Sequence, residues 1–239
     1  MGQSLFRGRC SRRIRRGVGR TQSATFVAVN TEQIALLQSM LARFSANAAN
    51  AQAKPYADQI AAFTASASRP WSRATLAGHL TASAWVLDRS HTHAAMIHHR
   101  KLGRWLQPGG HIDDEDPSWA TAAQREVAEE VGLAAFIAVP GAEQCSEQRA
   151  DQCVDQCADQ LFDVDVHPIP ARPDVPAHLH YDLRFLLVAD VDAALDDRLK
   201  LNADEAHDCR WFRLADLANA PSLEPSLRRM VELSINRFS

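Results

Sequence analysis

Apolar residues recur at helical spacing between residues 31 and 64. The recurring positions are Ile34, Leu37, Leu41 and Phe44, then Ile60 and Phe63. Intervals of three or four residues place such side chains along one side of a helix, and the pattern breaks near Pro55. It therefore predicts two packed helices, which form an N-terminal helical annex over residues 31–70.

Shorter apolar runs predict strands further along the chain. Residues 80–88 (LTASAWVLD) and 94–99 (AAMIHH) flank a short polar link, which is typical of a β-hairpin. Later strands are predicted at FIAVPG (136–141), LFDVDVHP (161–168), LHYDLRFLLVADV (179–191) and DCRWFRL (208–214), with a closing helix over 223–238. A further helix follows Gly109 and Gly110. Strands on both sides of a central helix indicate an α/β sandwich.

That central helix carries three closely spaced carboxylates. At about 100° per residue, Glu126, Glu129 and Glu130 gather on one face. The neighbouring apolar stripe consists of Ala120, Ala123, Val127 and Val131. Carboxylates at these spacings repel one another by a few tenths of a kcal/mol per pair unless a cation lies among them. Hard cations such as Mg²⁺ take carboxylate and water oxygens and share their remaining positions with substrate phosphate, so the helix predicts phosphate chemistry.

Composition and charge exclude several other classes. The 239 residues are 46% hydrophobic and 23% charged, which is the usage of a folded protein with room for one large domain. A net charge of −3 indicates neither a nucleic-acid-binding surface nor an acidic shell, so no stable nucleic-acid partner is expected. No stretch approaches the roughly 18 continuous apolar residues of a membrane span, so no membrane association is expected either.

Two segments stand apart from this composition. Residues 1–30 contain seven arginines and no acid, which predicts a basic, disordered tail; an organellar address or a nucleic-acid-binding arm is the alternative. Five cysteines without a recognisable export signal favour reduced thiols and a cytoplasmic location. The Cys- and Gln-rich tract over about 143–160 lacks a CxxC pair, and it predicts a surface-loop insertion rather than a zinc site.

Gly110 and the run Arg125-Glu126-Val127-Ala128-Glu129-Glu130-Val131-Gly132-Leu133 resemble the Nudix box of the Nudix hydrolases. The pattern REUxEExGU, with U apolar, is matched at every fixed position. The spacing from Gly110 to Arg125 is one residue longer than usual, so either Glu115 or Asp116 takes the place of the first acid of the box. The resemblance extends in general layout over residues 78–235, and the domain itself is expected to span residues 71–239.

The resemblance implies an α/β/α sandwich with a mixed sheet, to which the helical annex is added. It also implies a Nudix pyrophosphohydrolase that cleaves a nucleoside diphosphate linked to another moiety with Mg²⁺ or Mn²⁺. By position, Glu126, Glu129 and Glu130 are implied to bind metal. The catalytic set is implied to be Glu129, Glu130, Arg125 and Glu205, with Arg125 orienting a carboxylate. Gly109, Gly110 and Gly132 are implied to shape the turn into the helix and its end.

A polar row on one predicted strand supplies further candidates. Period-two alternation puts His178, His180, Asp182 and Arg184 on one face. This row either lines a cleft or is a solvated strand face. Histidine, carboxylate and guanidinium together suit a phosphorylated ligand, so His180, Asp182 and Arg184 are candidate substrate contacts, together with Arg104 just before the box.

Two function classes compete. The first is an enzyme that cleaves a pyrophosphate bond, and the second is a noncatalytic Nudix-fold module that binds a nucleotide and regulates a partner. The complete acidic set favours catalysis, because a noncatalytic module has no need to hold mutually repelling carboxylates together. The helical annex is a candidate surface for a homodimer.

Overall fold

The structure is a computed structural model that describes residues 31–139, 160–194 and 199–239. The predicted basic tail lies outside the described residues, and so does the predicted Cys- and Gln-rich insertion, apart from Gln160 at its end.

Five α-helices are found in the described ranges: α1 (Thr31–Ala46), α2 (Lys54–Ser66), α3 (Trp119–Val131), α4 (Leu214–Ala218) and α5 (Pro225–Phe238). The two annex helices and the closing helix are thus confirmed. Pro55 falls in the first turn of α2, where its missing N–H breaks no helical hydrogen bond. No helix in these ranges is long and apolar enough to cross a membrane.

The strands of the described ranges are β1 (Gly78–Leu87), β2 (His93–His99), β3 (Arg104–Leu106), β4 (Gly109–His111), β5 (Phe136–Ile137), β6 (Leu161–Ile169), β7 (His178–Ala189) and β8 (Ala206–Arg213). β5 is shorter than the predicted strand over 136–141. β3 and β4 were not predicted, because three residues are too few to show a period.

These strands form one mixed sheet in which β1 is central. β1 runs parallel to β7 along its whole length, from the pair Gly78↔Leu179 to the pair Leu87↔Val188. On its other edge, β1 pairs antiparallel with β4 over Thr81–Ser83 and with β2 at its last two residues. The predicted hairpin of β1 and β2 is therefore present, although β2 makes most of its pairs with β8.

The two faces of the sheet bury separate apolar clusters. Alternate residues of β1, such as Leu80 and Ala82, lie in a core that also contains apolar residues of α1, α2 and α3. The other set, which includes Trp85 and Leu87, packs against α4 and α5. Trp85 donates its indole N–H to Ser234 of α5 at 2.8 Å. Helices thus cover both faces, and the predicted sandwich is confirmed.

The annex is part of the same core. The ring of Phe63 in α2 stacks on Tyr181 of β7 with centroids 4.1 Å apart. Trp119, the first residue of α3, donates its indole N–H to the backbone carbonyl of Gln33 at 3.3 Å. These contacts hold α1 and α2 against the sheet and against the helix that carries the glutamates.

Candidate active site

Helix α3 positions the three glutamates, and both of its ends are defined by the sequence. Ser118 caps the first turn by accepting a hydrogen bond from the backbone N–H of Thr121 at 3.1 Å. Gly132 ends the helix with φ 72°, in the left-handed region that favours glycine, as predicted. The apolar stripe that includes Val127 is buried against the sheet.

Glu130 lies inside the protein, 5% exposed. Its carboxylate accepts a hydrogen bond from the backbone N–H of Gly109 at 2.8 Å, which ties α3 to β4. Gly109 and Gly110 lie in this strand, paired with β1, and not in a turn as the resemblance implied. Burial raises the pKa of Glu130 to about 8, although the Gly109 bond opposes this rise. Repulsion from the carboxylates of Glu126, Glu205 and Glu129 adds to it.

Glu126 lies directly against Gly110 of β4. A Cβ on Gly110 would come within 2.6 Å of the carboxylate of Glu126, so any side chain at position 110 would displace it. Burial raises the pKa of Glu126 above its usual range, more than the neighbouring Arg125 lowers it. The absence of a side chain at Gly110 thus creates the space that this carboxylate occupies.

Glu129 and Glu205 complete the acidic group from more exposed positions. The side chain of Glu129 is 54% exposed and lies 3.4 Å from the guanidinium of Arg125. Glu205 is exposed in the segment that follows Lys200. Two backbone hydrogen bonds tie this segment to the end of α3: Lys200 N–H to Val131 at 2.9 Å and Asn202 N–H to Glu130 at 3.1 Å.

Arg125 binds Asp116 rather than Glu115. Its Nε and one Nη donate to the two carboxylate oxygens of Asp116 at 3.1 and 3.0 Å, and Asp116 is buried whereas Glu115 is exposed. This hydrogen bond, followed by the attraction of Glu126, raises the pKa of Arg125 above its usual range. Arg125 also donates to the backbone carbonyl of His111 at 2.9 Å, so it connects α3, the acidic loop and β4.

The residues of this site lie within a segment that matches a known protein family. The model of the NUDIX domain family matches residues 78–233, which is more than half of the chain. The chain belongs to the Nudix family. It is thus an enzyme, a Nudix pyrophosphohydrolase, and the predicted family and enzyme class are both confirmed.

Solved structures similar to this Nudix hydrolase include a NUDIX-family hydrolase from Clostridium perfringens. It is 21% identical, its match covers 67% of this chain and 98% of that one, and the TM-score is 0.43. The MutT protein of Methanosarcina mazei Go1 is 16% identical, its match covers 68% of this chain and 96% of that one, and the TM-score is 0.46. An Ap4A hydrolase of C. elegans is 16% identical, its match covers 66% of this chain and 96% of that one, and the TM-score is 0.42. No curated protein matches the chain.

The polar row of this Nudix hydrolase lies on one face of β7, as the alternation indicated, but Asp182 and Arg184 are each only 3% exposed. Arg184 donates to Asp163, Asp165 and Asp182 at 2.9 to 3.1 Å. The alternative of a solvated strand face is therefore wrong for these two residues, because Ser226 of α5 contacts Arg184 and the hydroxyls of β1 contact Asp182. Their contacts give both a structural role, and a direct contact with substrate stays a prediction.

Asp182 also connects Arg184 to β1 and to the segment that precedes β4. It accepts hydrogen bonds from the hydroxyls of Thr81 at 3.0 Å and Ser83 at 2.8 Å. The side-chain amide of Gln107, two residues before Gly109, donates to the same carboxylate at 3.3 Å. Asp182 thus anchors the segment that leads into β4.

Arg104 lies in a cleft of about 620 Å³ between β2, β3 and the segment that joins α4 to α5. Trp105 and Phe212 form part of its wall, with ring centroids 4.8 Å apart and nearly perpendicular planes. The cleft therefore combines an exposed guanidinium with aromatic surface, which are groups that suit a phosphate and a nucleobase.

His180 is not surrounded by substrate-binding groups but by other histidines. Its ring lies 4.8 Å from that of His79 and 5.4 Å from that of His111, centroid to centroid. In the described part of the chain, only these three among His, Cys, Asp and Glu residues bring one ligand atom each within 4.8 Å of one another. The three glutamates of α3 do not, so their oxygens would have to move to share one ion.

Proposed function

We propose that this Nudix hydrolase cleaves the pyrophosphate bond of a nucleoside diphosphate linked to another moiety, in a reaction that depends on Mg²⁺ or Mn²⁺. The observation that carries the proposal is the position of Glu126 and Glu130, whose carboxylates lie against Gly110 and Gly109 of β4 with raised pKa values. Glu126 is half-buried and paired with Arg125, whereas Glu130 is buried beside other carboxylates. A buried, ionised carboxylate destabilises the fold unless a cation compensates it.

The donor set fits a hard divalent cation. Glu126, Glu129 and Glu130 offer only carboxylate oxygens, which Mg²⁺ and Mn²⁺ prefer. The exposed side chain of Glu129 has room to turn toward the other two. When bound, such an ion neutralises phosphate charge and lowers the pKa of a water that attacks phosphorus.

The other residues of the site have distinct proposed roles. Glu205, which is exposed and repels Glu130, is the proposed acceptor of a proton from the attacking water. Arg125 acts as a positioning residue through its contacts with Asp116 and Glu126. Arg104 is the proposed contact for a substrate phosphate, because its exposed guanidinium lies in the cleft beside Trp105 and Phe212.

The test replaces Glu126 by Gln and measures turnover with a panel of nucleotide derivatives. The panel contains nucleoside diphosphate sugars, ADP-ribose, dinucleoside polyphosphates and oxidised nucleoside triphosphates, with phosphate or pyrophosphate release as readout. Glutamine keeps the shape and removes the charge, so kcat should fall at least about 100-fold while the fold is retained. Glu232→Gln, the same change at an exposed position of α5, should leave kcat unchanged.

Metal dependence has its own readout. Activity should be lost in EDTA and return with Mg²⁺ or Mn²⁺. Cleavage that continues in EDTA, or full turnover by Glu126→Gln, would contradict the proposed mechanism. A noncatalytic module would instead bind a nucleotide from the panel and leave it uncleaved. A cytoplasmic location and a dimer through the helical annex stay predictions.

A further inference from the structure

Five of the ten histidines of the chain lie together on one face of the sheet. They come from four strands: His79 from β1, His111 from β4, His167 from β6, and His178 and His180 from β7. The centroids of neighbouring rings within this group lie 4.8 to 5.6 Å apart. The proposed hydrolysis of a pyrophosphate bond uses none of these imidazoles except His180 as a candidate substrate contact.

Strand pairing brings three of the rings together. His79 is directly paired with His180 across the parallel β1–β7 ladder, so both side chains point to the same side. His111 is paired with Thr81, two residues beyond His79 on the same side of β1. Three separate strands thus present imidazoles to one point, and the backbone of the sheet holds them there.

The innermost of these rings is buried without hydrogen bonds to any described residue. His79 is 4% exposed, and neither of its ring nitrogens has a hydrogen-bond partner in the part of the chain that the structure describes. A buried polar group without a partner costs about 1–3 kcal/mol, so His79 is expected to have a ligand.

We propose that His79, His111 and His180 bind one divalent transition-metal ion of the zinc type, at a site separate from the glutamates of α3. Imidazole nitrogen suits Zn²⁺, Cu²⁺ and Ni²⁺, whereas Mg²⁺ prefers oxygen. Zn–N bonds of about 2.0–2.1 Å in a tetrahedral site require ligand nitrogens roughly 3.4 Å apart. The three ligand atoms already lie within 4.8 Å of one another, so small side-chain rotations close the site.

The surroundings indicate what completes the coordination. Arg73 and Lys101 lie near enough to disfavour protonation of His111, and three neutral imidazoles add no negative charge. An ion here would keep its double positive charge beside these two cations. The fourth position therefore suits an anion, such as hydroxide or a phosphate oxygen, which would offset the repulsion.

The site is also coupled to the Nudix loop. His111 directly follows Gly110, and its backbone carbonyl accepts a hydrogen bond from Arg125 at 2.9 Å. An ion held between β1, β4 and β7 would fix the strand that presents the Gly109 N–H to Glu130. The zinc site would thus stabilise the geometry of the carboxylate site without sharing a ligand with it.

The experiment measures zinc binding by the full chain without a histidine tag. The protein is stripped with a chelator, and Zn²⁺ is then titrated against a chromogenic competitor in excess Mg²⁺. One zinc per chain is expected. His79→Asn, His111→Asn and His180→Asn should each weaken this binding at least about 100-fold. His207→Asn, at an exposed position of β8, and Glu130→Gln should leave it unchanged.

Cobalt substitution reports the ligand geometry independently of affinity. Co²⁺ in the wild-type chain should give the intense visible absorption of a four- or five-coordinate ion, and each of the three variants should lose it. Circular dichroism confirms that the variants fold; if His79→Asn does not fold, the partly exposed His111 and His180 carry the test. Zinc binding that persists in these variants, or that disappears in Glu130→Gln, would overturn the proposal, as would a wild-type chain that binds no zinc.

Discussion

Replacing Glu130 by Gln should stabilise the metal-free protein, and this gain should grow as the pH rises from 5 to 8.5. Glu130 is buried beside other carboxylates, so its ionised form is disfavoured in the folded state. Glutamine cannot ionise, and its carbonyl oxygen can still accept the hydrogen bond from the Gly109 N–H. The variant therefore removes the electrostatic cost and keeps the main contact.

The magnitude follows from the pKa of Glu130, which is raised from 4.5 to about 8. Between these values the folded chain holds a proton that the unfolded chain has lost. The contribution of neutral Glu130 to the free energy of unfolding of the wild type is fully present below pH 4.5 and is lost as the pH rises through about 8. Since one pKa unit corresponds to about 1.4 kcal/mol, the ceiling is roughly 5 kcal/mol, and we expect a change on the order of 3 kcal/mol between pH 5 and 8.5.

Urea denaturation in EDTA at a series of pH values measures the free energy of unfolding of wild type and variant. The difference between them at each pH isolates Glu130, because titration of the histidines affects both proteins alike. Glu129→Gln, the same change at a side chain that is 54% exposed, is the matched control for the loss of one carboxylate from α3. A difference for Glu130→Gln that does not change with pH would refute the reasoning. Adding Mg²⁺ should stabilise wild type more than Glu130→Gln.

Three further substitutions test other parts of the structure. Arg184→Met should lower the free energy of unfolding by about 3–5 kcal/mol, because it removes the cation that pairs with the buried Asp182 and leaves Asp163 with Arg229 alone. Arg210→Met, at an exposed ion pair, should cost under about 1 kcal/mol in the same urea denaturation. Gly132→Ala should lower Tm more than Gly103→Ala: both glycines have positive φ, but a Cβ at 132 would meet Lys200 at 2.8 Å while the space around 103 is open. Gly110→Ala should reduce kcat with little loss of Tm, because the added methyl would displace the adjacent glutamate carboxylate.

The acidic helix could be predicted from the sequence because its geometry is local. Residues at intervals of three and four must share one face of a helix, so Glu126, Glu129 and Glu130 could be placed together without knowledge of the fold. Ser118 and Gly132 mark the ends of this helix through short-range hydrogen bonds. The choice between Glu115 and Asp116 could not be made in this way, because it depends on how the loop folds back to Arg125.

The histidine cluster was missed because it depends on non-local pairing. His79 precedes the predicted start of its strand at residue 80, and the parallel pairing of β1 with β7 joins residues about 100 positions apart. Alternation correctly placed His180 and Arg184 on one face, but it carries no information about what covers that face. In the structure, α5 covers Arg184, while other imidazoles surround His180.

The buried polar groups of this fold therefore differ in whether the protein itself supplies a partner that compensates them. Toward α5, the carboxylates of Asp163, Asp165 and Asp182 are compensated by Arg184 and Arg229, so this region needs no ligand to be stable. Within the described residues, Glu130 and His79 have no such compensation, since one is a carboxyl group with a raised pKa and the other an imidazole without a hydrogen bond. A ligand that binds only the folded state adds to its stability. The two proposed ions should consequently stabilise the fold separately, a hard cation through oxygen and a zinc-type ion through nitrogen.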